Sequence, residues 1–391
     1  ILASLATQLF KQAEITMLVG VPKEIKNHEY RVGLTPAAVK EFVMHGHKVM
    51  VETNAGTAIG FTDEMYVEAG ASIAASAEQV FAEAEMIVKV KEPQPQECKQ
   101  LSRGQTLYTY LHLAPDPTQT ELLIESGATC IAYETVTDTR GGLPLLAPMS
   151  EVAGRMSVQA GAHYLEKAHG GSGTLLGGVP GVAPGKVLVI GGGVVGTQAA
   201  KMALGLGADV TILDRSLPRL RQLDDIFNGQ VKTVFSTVDA IEHYSASADL
   251  VVGAVLIPGA AAPKLLNEQH IANMKKGSVV VDVAIDQGGC FATSKATTHQ
   301  DPVYIVDGVV HYCVANMPGG VARTSTMALN NATLPFGLAL ANKGPKQAMM
   351  EDIHLLNGLN VHEGKVTYKA VVEALGDQLG IQYTPAMDAL A

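Results

Sequence analysis

The sequence is poor in aromatic residues, cysteine and charge. It contains no Trp, eight Phe and four Cys in 391 residues, and 17% of its residues are charged. Because the cysteines show no C-x-x-C motif and no paired spacing, we expect reduced thiols in a cytoplasmic protein, without disulfides or a cysteine metal site. The four thiols belong to Cys98, Cys130, Cys290 and Cys313.

Two further absences limit the partners of the chain. No apolar run reaches the roughly 18–20 residues that a membrane-spanning helix needs. The 28 basic and 38 acidic residues give a net charge of −10, which argues against binding to nucleic acid or to an anionic membrane surface. In contrast, the chain is rich in glycine, with 40 residues, and 47% of its residues are hydrophobic. This composition is typical of an α/β enzyme, and the length allows two domains.

The strongest motif begins with three spaced glycines. A short apolar run, residues 187–190, is typical of a strand that is buried on both faces. Gly191, Gly193 and Gly196 follow it at G-x-G-x-x-G spacing. In this pattern the first glycine permits a tight turn, the second lets a pyrophosphate approach the backbone, and the third lets a helix pack close to the sheet.

The residues after the glycines complete a dinucleotide-binding pattern. A helix over residues 194–206 would direct its free N–H groups and positive dipole end at the phosphates. The next strand, 210–213, ends at Asp214, where a carboxylate can hold both ribose hydroxyls of an adenosine. Asp214 favours NAD, because its carboxylate would repel the 2′-phosphate of NADP. Arg215 lies beside it, so NADP stays open as an alternative cofactor.

Strands and helices alternate in the first part of the chain. Thr35 and Ser76 are predicted N-caps of helices, and Thr35 is followed by a proline. The alternation predicts a mainly parallel sheet. The predicted strands are residues 19–21, 48–52, 86–91, 106–111 and 129–133.

The second part begins with a long helix and then alternates again. Ser150 is the predicted N-cap of a helix over residues 151–167. After Asp214, further strands complete a dinucleotide-binding sheet. These strands are predicted at 234–237, 250–256, 279–284 and 311–314. The last part of the chain is predicted to be helical and to have no strands of its own, with helices at 326–342, 349–359 and 369–376.

We therefore predict an α/β protein with two Rossmann-like, doubly wound parallel-sheet domains and a cleft between them. The predicted substrate domain is discontinuous and combines residues 17–144 with 323–391. The predicted NAD-binding domain is residues 145–322. Residues 1–16 are expected to be a non-native extension, with Met17 as the natural start.

Candidate catalytic residues follow from strand positions. Ligands of parallel sheets lie beyond the carboxyl ends of the strands. Arg31, Lys91 and His112 each lie at or after such an end in the first domain, and this cationic trio suits a small carboxylate. Asp286 follows a strand of the second domain and is expected to face the same crevice. The alternatives are solvated loop charges for Arg31 and Lys91, and a structural role for His112.

Two residues near Asp286 are expected to be structural. Cys290 is predicted to be a buried thiol rather than a nucleophile, because no His is spaced to activate it. Asp282 falls within the predicted strand 279–284, so its carboxylate is expected to support the fold.

Several motifs resemble those of the L-alanine dehydrogenase family. The resemblance runs from Met17 to nearly the C-terminus, and a related pattern occurs in the NAD-binding component of proton-translocating transhydrogenase. The motifs are VGVPKEIKNHEYRVGLTP, KVKEP, YLHLA, LAPMSEVAG, VDVAIDQGG and VANMPGGVARTST.

The resemblance implies roles for the candidate residues. Arg31 and Lys91 would hold the substrate carboxylate and carbonyl oxygen, and His112 and Asp286 would be the catalytic pair. The cofactor implied is NAD, and no metal is expected. The implied cofactor contacts are Ser150, Gly191, Gly193, Val194, Val195, Gly196, Asp214, Arg219, Ser236, Val255, Leu256, Val283, Ala284, Ile285, Asp286, Lys295, Val314, Ala315, Asn316 and Met317.

The implied reaction is the reversible oxidative deamination of L-alanine to pyruvate and ammonium, by a cytoplasmic homohexamer. The division of acid–base roles stays open, and we favour His112 because imidazoles titrate near neutral pH. Three alternatives also stay open: a dehydrogenase of another small amino acid, a transhydrogenase-type subunit that needs a membrane partner, and a non-catalytic NAD sensor.

Overall fold

The computed structural model describes residues 15–255 and 262–391, which divide into two compact units. Unit 1 joins the described residues up to Pro148 to Val321–Ala391, and unit 2 is Met149–Gly320. Each unit contains one sheet in which most neighbouring strands are parallel. The predicted α/β class with two parallel-dominated sheets is confirmed.

The described part of the chain contains fifteen strands. They are β1 (Leu18–Val21), β2 (Lys48–Glu52), β3 (Ser72–Ala74), β4 (Met86–Val88), β5 (Thr106–Thr109), β6 (Thr129–Ala132), β7 (Lys186–Ile190), β8 (Asp209–Asp214), β9 (Lys232–Phe235), β10 (Leu250–Gly253), β11 (Val279–Asp282), β12 (Val303–Val306), β13 (Val309–Tyr312), β14 (Leu359–His362) and β15 (Lys365–Val366).

The same residues contain fifteen α-helices. They are α1 (Pro36–Met44), α2 (Asp63–Glu68), α3 (Ala77–Glu83), α4 (Pro95–Cys98), α5 (Pro117–Ser126), α6 (Ala147–Tyr164), α7 (Val194–Gly205), α8 (Leu217–Phe227), α9 (Val238–Ser247), α10 (Glu268–Asn273), α11 (Ala322–Lys343), α12 (Pro345–Glu351), α13 (Ile353–Leu356), α14 (Lys369–Leu379) and α15 (Ala386–Leu390). None of these helices is long and apolar enough to cross a membrane.

The order of the strands locates the ligand-binding edge of each sheet. In unit 1 the order is β15-β14-β6-β5-β4-β1-β2-β3, and in unit 2 it is β12-β13-β11-β10-β7-β8-β9. The chain order reverses between β1 and β4 and between β7 and β10. Ligands of doubly wound sheets bind at such reversals, beyond the carboxyl ends of the strands.

Local signals in the sequence account for several helix starts. Thr35 accepts a hydrogen bond from the N–H of Ala38, and Pro36 occupies the first helical position of α1. Ser76 caps α3 in the same way through the N–H of Gln79. Both predicted caps are confirmed, since a short polar side chain satisfies a donor that the helix leaves unpaired.

The predicted N-cap at Ser150 is wrong. Helix α6 begins at Ala147, so Ser150 lies within its first turn, and the helix ends at Tyr164. The N–H of Ala147 donates to the carbonyl of Leu143, 2.9 Å away. Pro148 fits the first turn because the missing N–H has no helical partner there.

The prediction that the last part of the chain has no strands is also wrong. Strands β14 and β15 form a hairpin, and β14 extends the unit 1 sheet by antiparallel pairing with β6. The connecting residues, Glu363 and Gly364, have φ angles of 47° and 82°. Positive φ at both positions is typical of a two-residue turn that matches the twist of a hairpin.

Other predicted bounds shift by a few residues. The predicted helix 349–359 is divided into α12 and α13, because Asp352 accepts hydrogen bonds from the first N–H groups of α13. Strand β9 ends at Phe235, so Ser236 follows the strand instead of lying in it. The short edge strands β3 and β12 were not predicted.

The core of unit 2 depends on a close contact between β7 and α7. Gly191 leaves the strand with a φ of 102°, a conformation that few residues other than glycine adopt. A Cβ added at Gly196 would lie 1.8 Å from the carbonyl oxygen of Gly191. Because glycine has only a hydrogen atom in place of a side chain, α7 can pack close to the sheet and bury Ala199, Ala200 and Ala203 in the core.

We expect Gly196→Ala to lower the melting temperature strongly. The added methyl group would clash with backbone, and overpacking typically costs about 1–3 kcal/mol and occasionally more. Gly205→Ala, at the last position of the same helix, is the matched control, because its Cβ would meet no described atom within 4 Å. We expect the control to be neutral or slightly stabilising. Equal melting temperatures of the two variants, measured by calorimetry, would contradict the packing argument.

Candidate functional site

Arg31 is held in the long loop between β1 and α1 of unit 1. Its side chain is 2% exposed, and its Nε and Nη2 donate to the two carboxylate oxygens of Glu29 at 2.7 Å each. Burial alone would lower the pKa of Arg31. The hydrogen bonds and the negative charge of Glu29 outweigh burial and raise the pKa of Arg31 above its ordinary value. Both residues line a cavity of about 380 Å³, together with Lys23, Glu24, Tyr30, Asn54, Ala55, Thr57 and Ala58.

A buried ion triad fixes the chain just before Lys91. Lys89 is fully buried and donates to Glu24 at 2.9 Å and to Glu97 at 2.8 Å. The second oxygen of Glu24 accepts from the backbone N–H groups of Val90 and Lys91. Burial raises the pKa of Glu24, against the effect of the Lys89 charge. The triad therefore orders the backbone that carries Lys91 beside the cavity that contains Arg31.

Glu92 brings Lys91 and His112 together. Its carboxylate lies 3.4 Å from Lys91 Nζ, 3.9 Å from His112 Nδ1 and 3.2 Å from Lys26 Nζ. Its side chain is 15% exposed. Burial would raise the pKa of Glu92, but the charges of Lys91, His112 and Lys26 outweigh it and lower the pKa to about 2.

The backbone at His112 is in a conformation that residues other than glycine rarely adopt. Its φ is 48°, and strain of this kind is concentrated at functional sites. The strained turn is held by Glu134, whose carboxylate accepts from the N–H of Leu111 and, at 2.6 Å, from the N–H of His112. The imidazole is partly exposed and lies 5.7 Å from the ring of Tyr110. The result is an accessible imidazole on a fixed backbone.

Sequence reasoning missed the carboxylates around these cations. Lys91, His112 and Glu134 each follow one of three adjacent parallel strands, β4, β5 and β6. Glu134 could have been found by the same strand-end argument as His112. Glu24, Glu29 and Glu92 gave no comparable signal, because nothing in the local sequence shows that a Glu is buried.

In unit 2, the glycine loop is tied to the end of β8. Asp214 accepts from the N–H of Gly192 through one carboxylate oxygen and from the N–H of Ser216 through the other, both at 2.7 Å. Arg219 donates from Nε to the carbonyl of Gly192 at 2.6 Å and from Nη2 to Thr197 at 2.8 Å. These contacts bring three parts of the predicted cofactor site together: the glycine loop, Asp214 and Arg219.

The other predicted cofactor residues lie mostly at the carboxyl ends of the strands. The N–H of Ser236 donates to the carbonyl of Asp214. Leu256 lies outside the described residues, and Lys295 is exposed. Ser150 lies on α6, whose Gly154 packs against the backbone of Val195. The remainder follow β10, β11 and β13, and they are Val255, Val283, Ala284, Ile285, Asp286, Val314, Ala315, Asn316 and Met317.

The loop that carries Asp286 is organised by Asp282. The carboxylate of Asp282 is fully buried at the end of β11 and accepts from the N–H groups of Ala284 and Cys290 and from the hydroxyl of Ser294. Asp286 is exposed in the short helix that follows. Burial, together with Asp282, raises the pKa of the Cys290 thiol well above its ordinary value. The predictions of a structural Asp282 and a buried Cys290 are confirmed.

Comparison with known proteins identifies the family of the chain. The family model described as "Alanine dehydrogenase/PNT, N-terminal domain" matches residues 20–153, and the model described as "Alanine dehydrogenase/PNT, C-terminal domain" matches residues 157–369. The chain belongs to the alanine dehydrogenase/PNT family. The resemblance seen in the sequence motifs is confirmed, and the protein is a pyridine-nucleotide-dependent oxidoreductase.

Individual members of the alanine dehydrogenase/PNT family match nearly the whole chain. An alanine dehydrogenase of Halomonas elongata is 64% identical over 92% of this chain and 97% of its own length. One of Methanococcus maripaludis is 57% identical over 96% of this chain and 100% of its own. A solved L-alanine dehydrogenase is 52% identical, with a TM-score of 0.90 over 92% of this chain and 99% of that one. A transhydrogenase from Sinorhizobium meliloti is 25% identical, with a TM-score of 0.78 over 90% and 99%.

We expect Glu92 to make the protein sensitive to acid. Its folded pKa of about 2 lies below the ordinary value of 4.5, so its stabilising contribution is complete above pH 4.5 and is lost as the pH falls towards 2. The contribution is on the order of 3 kcal/mol. Glu92→Gln should therefore flatten the loss of stability between pH 6 and pH 3, measured by urea unfolding. The control is Glu83→Gln at an exposed site, which should keep the wild-type slope. Parallel profiles of Glu92→Gln and wild type would disprove the assignment.

Proposed function

We propose that this protein is an L-alanine dehydrogenase that converts L-alanine reversibly to pyruvate and ammonium with NAD. The observation that supports this most is that Glu92 brings Lys91 and His112 together after β4 and β5. Arg31 shares its cavity with Glu24, whose carboxylate accepts from the N–H of Lys91, and the chain also has a dinucleotide loop. Unit 1 is then the substrate domain and unit 2 the NAD-binding domain.

The glycine loop of unit 2 suits a dinucleotide. A Cβ added at Gly193 would meet no described atom within 4 Å, so the backbone there is open to a pyrophosphate. Helix α7 begins at the next residue and offers its free N–H groups to the same place. When NAD is bound, its nicotinamide supplies the acceptor for the hydride that leaves Cα of L-alanine.

Residues of unit 1 orient the substrate and transfer protons. Arg31 and Lys91 hold the carboxylate and carbonyl oxygen, which fixes the direction of the Cα–H bond. His112 accepts a proton from the water that adds to the imine carbon, and returns a proton in the reverse direction. Asp286, on unit 2, positions the water or ammonia and the nicotinamide ribose. No metal is needed for this chemistry.

Asp214 supports NAD over NADP. One of its oxygens accepts from the N–H of Gly192 in the glycine loop and the other from the N–H of Ser216, and each keeps a lone pair for a ribose hydroxyl. A 2′-phosphate at the same place would be repelled by the carboxylate.

The remaining expectations follow from the family resemblance. We propose a cytoplasmic homo-oligomer, a hexamer as the resemblance implies, whose partners are small molecules and not nucleic acid or membrane. The likeness to a transhydrogenase favours one second candidate, an NAD(H)-binding transhydrogenase-type subunit. Its 25% identity is far below the 56–64% of three curated relatives named alanine dehydrogenase.

The activity can be measured by nicotinamide absorbance. We expect NAD⁺ reduction with L-alanine, and NADH oxidation with pyruvate and ammonium. His112→Ala and Asp286→Asn should each lower kcat/KM by about 10²-fold or more, as expected for acid–base groups. His243→Ala, at an exposed histidine of unit 2, should retain full activity.

Three outcomes separate the candidate functions. Faster turnover with another small amino acid would keep the mechanism but replace L-alanine as the substrate. Tight NADH binding without turnover on any amino acid would favour the transhydrogenase-type subunit or a sensor. Full activity of both His112→Ala and Asp286→Asn would exclude the proposed catalytic pair.

The cofactor preference gives a separate test. We expect kcat/KM to be about 10²-fold higher for NAD⁺ than for NADP⁺, and we expect Asp214→Ser to narrow this ratio by removing the repulsion. Asp209→Ser is the matched control, because Asp209 begins the strand that Asp214 ends. An unchanged ratio in Asp214→Ser would argue against the role of this carboxylate.

A further inference from the structure

Three exposed side chains converge where helix α6 ends. His163 lies in the last turn of the helix, Glu166 follows it, and His169 ends a short 3₁₀ helix. One nitrogen of each imidazole and one carboxylate oxygen all lie within 4.8 Å of one another. We propose that His163, Glu166 and His169 form a binding site for one divalent transition-metal ion, such as Zn²⁺.

The spacing of the three groups suits a shared cation better than direct contact. His163 Nδ1 lies 3.7 Å from one oxygen of Glu166, and His169 Nε2 lies 3.6 Å from the other. Both distances are longer than hydrogen bonds, which end near 3.2 Å for N–H···O. Ligands of a tetrahedral zinc ion, at bond lengths of about 2.0–2.1 Å, are separated by roughly 3.3 Å. Small rotations of the exposed side chains therefore bring the three atoms to one ion.

The two imidazoles are also close to each other. Their ring centres are 4.0 Å apart, and the ring of Tyr164 lies 5.1 Å from that of His163. Two imidazoles at this separation can each offer a ring nitrogen to the same ion.

The backbone under the three side chains is fixed. The N–H of Glu166 donates to the carbonyl of His163, and the N–H of His169 donates to the carbonyl of Glu166, both at 3.1 Å. Leu165, between them, is fully buried in the unit 2 core. A Cβ added at Gly171 would lie 2.3 Å from the backbone of Leu165. Only glycine, which has no Cβ, therefore allows the chain to pass this close to Leu165. A fixed backbone lowers the entropic cost of gathering the ligands.

The site lies at the opposite edge of the sheet from the dinucleotide loop. The N–H of Ser172 donates to the carbonyl of Gly277, just before the start of β11. The glycine loop and Asp214 lie beyond the carboxyl ends of β7 and β8. Strands β7, β8, β10 and β11 are parallel, so their amino ends share one edge of the sheet. His163, Glu166 and His169 lie on the side of that edge. The proposal is thus independent of the function proposed above.

The ligand set indicates the class of metal. Two imidazoles and one carboxylate suit Zn²⁺, Cu²⁺, Ni²⁺ or Co²⁺, whereas Mg²⁺ and Ca²⁺ prefer oxygen ligands. The cluster opens onto a groove of about 860 Å³, so water can complete the coordination. Lys167 also lines this groove, and its positive charge opposes a cation. We therefore expect a dissociation constant for Zn²⁺ of about 10 µM rather than a nanomolar value.

The test is Zn²⁺ titration of the metal-free, tag-free full chain by calorimetry, together with Cu²⁺ paramagnetic resonance. We expect one Zn²⁺ per chain and nitrogen hyperfine coupling from two imidazoles. His163→Gln and His169→Gln should each weaken Zn²⁺ binding by about tenfold or more, and Glu166→Gln should also weaken it. His243→Gln, at an exposed histidine outside the cluster, is the matched control and should bind like wild type.

Circular dichroism verifies that each variant is folded, so that loss of binding can be assigned to the ligands. The proposal is overturned if wild type binds no Zn²⁺ at about 1 mM, a concentration well above the expected dissociation constant. It is also overturned if the His163→Gln/His169→Gln double variant binds Zn²⁺ with unchanged stoichiometry and affinity, since the ion would then lie elsewhere.

Discussion

The unit 1 site depends on the pairing of buried charges. A charge removed from water is tolerated in a protein interior only when an opposite charge or hydrogen bonds compensate it. Glu24 and Glu97 compensate Lys89, and Glu29 compensates Arg31. Each acid also restrains the backbone or side chain of its partner. The buried cations Lys89 and Arg31 are therefore held in place by carboxylates of the protein itself.

Much of the fold could be predicted because its signals are local. The G-x-G-x-x-G spacing, the Thr35 cap and the alternation of apolar strands all lie within short segments, and the structure contains them. The β14–β15 hairpin was missed although its Glu363-Gly364 turn is a local signal, since the strands are short and follow a helix. The start of α6 was predicted too late because Ser150 is a common N-cap residue but lies within the first turn of this helix.

The candidate site was predictable only in part. Lys91 and His112 could be placed near each other, because the carboxyl ends of parallel strands share an edge. Glu92 could not be assigned its role, since contact with both residues and with Lys26 is a property of the tertiary fold. His163, Glu166 and His169 converge only because the chain turns after α6, so their H-x₂-E-x₂-H spacing alone does not predict the cluster.

The pairing of β14 with β6 has a consequence for synthesis on the ribosome. The unit 1 sheet is complete only after residues 359–362 have been synthesised and have paired with residues 129–132. Unit 2, in contrast, is continuous in the chain and ends at Gly320. Contacts between distant parts of a chain form slowly because a long loop must close first. The unit 2 sheet can therefore be completed while unit 1 still exposes the edge of β6, so the two sheets can be completed in the reverse of the order in which the units begin in the chain.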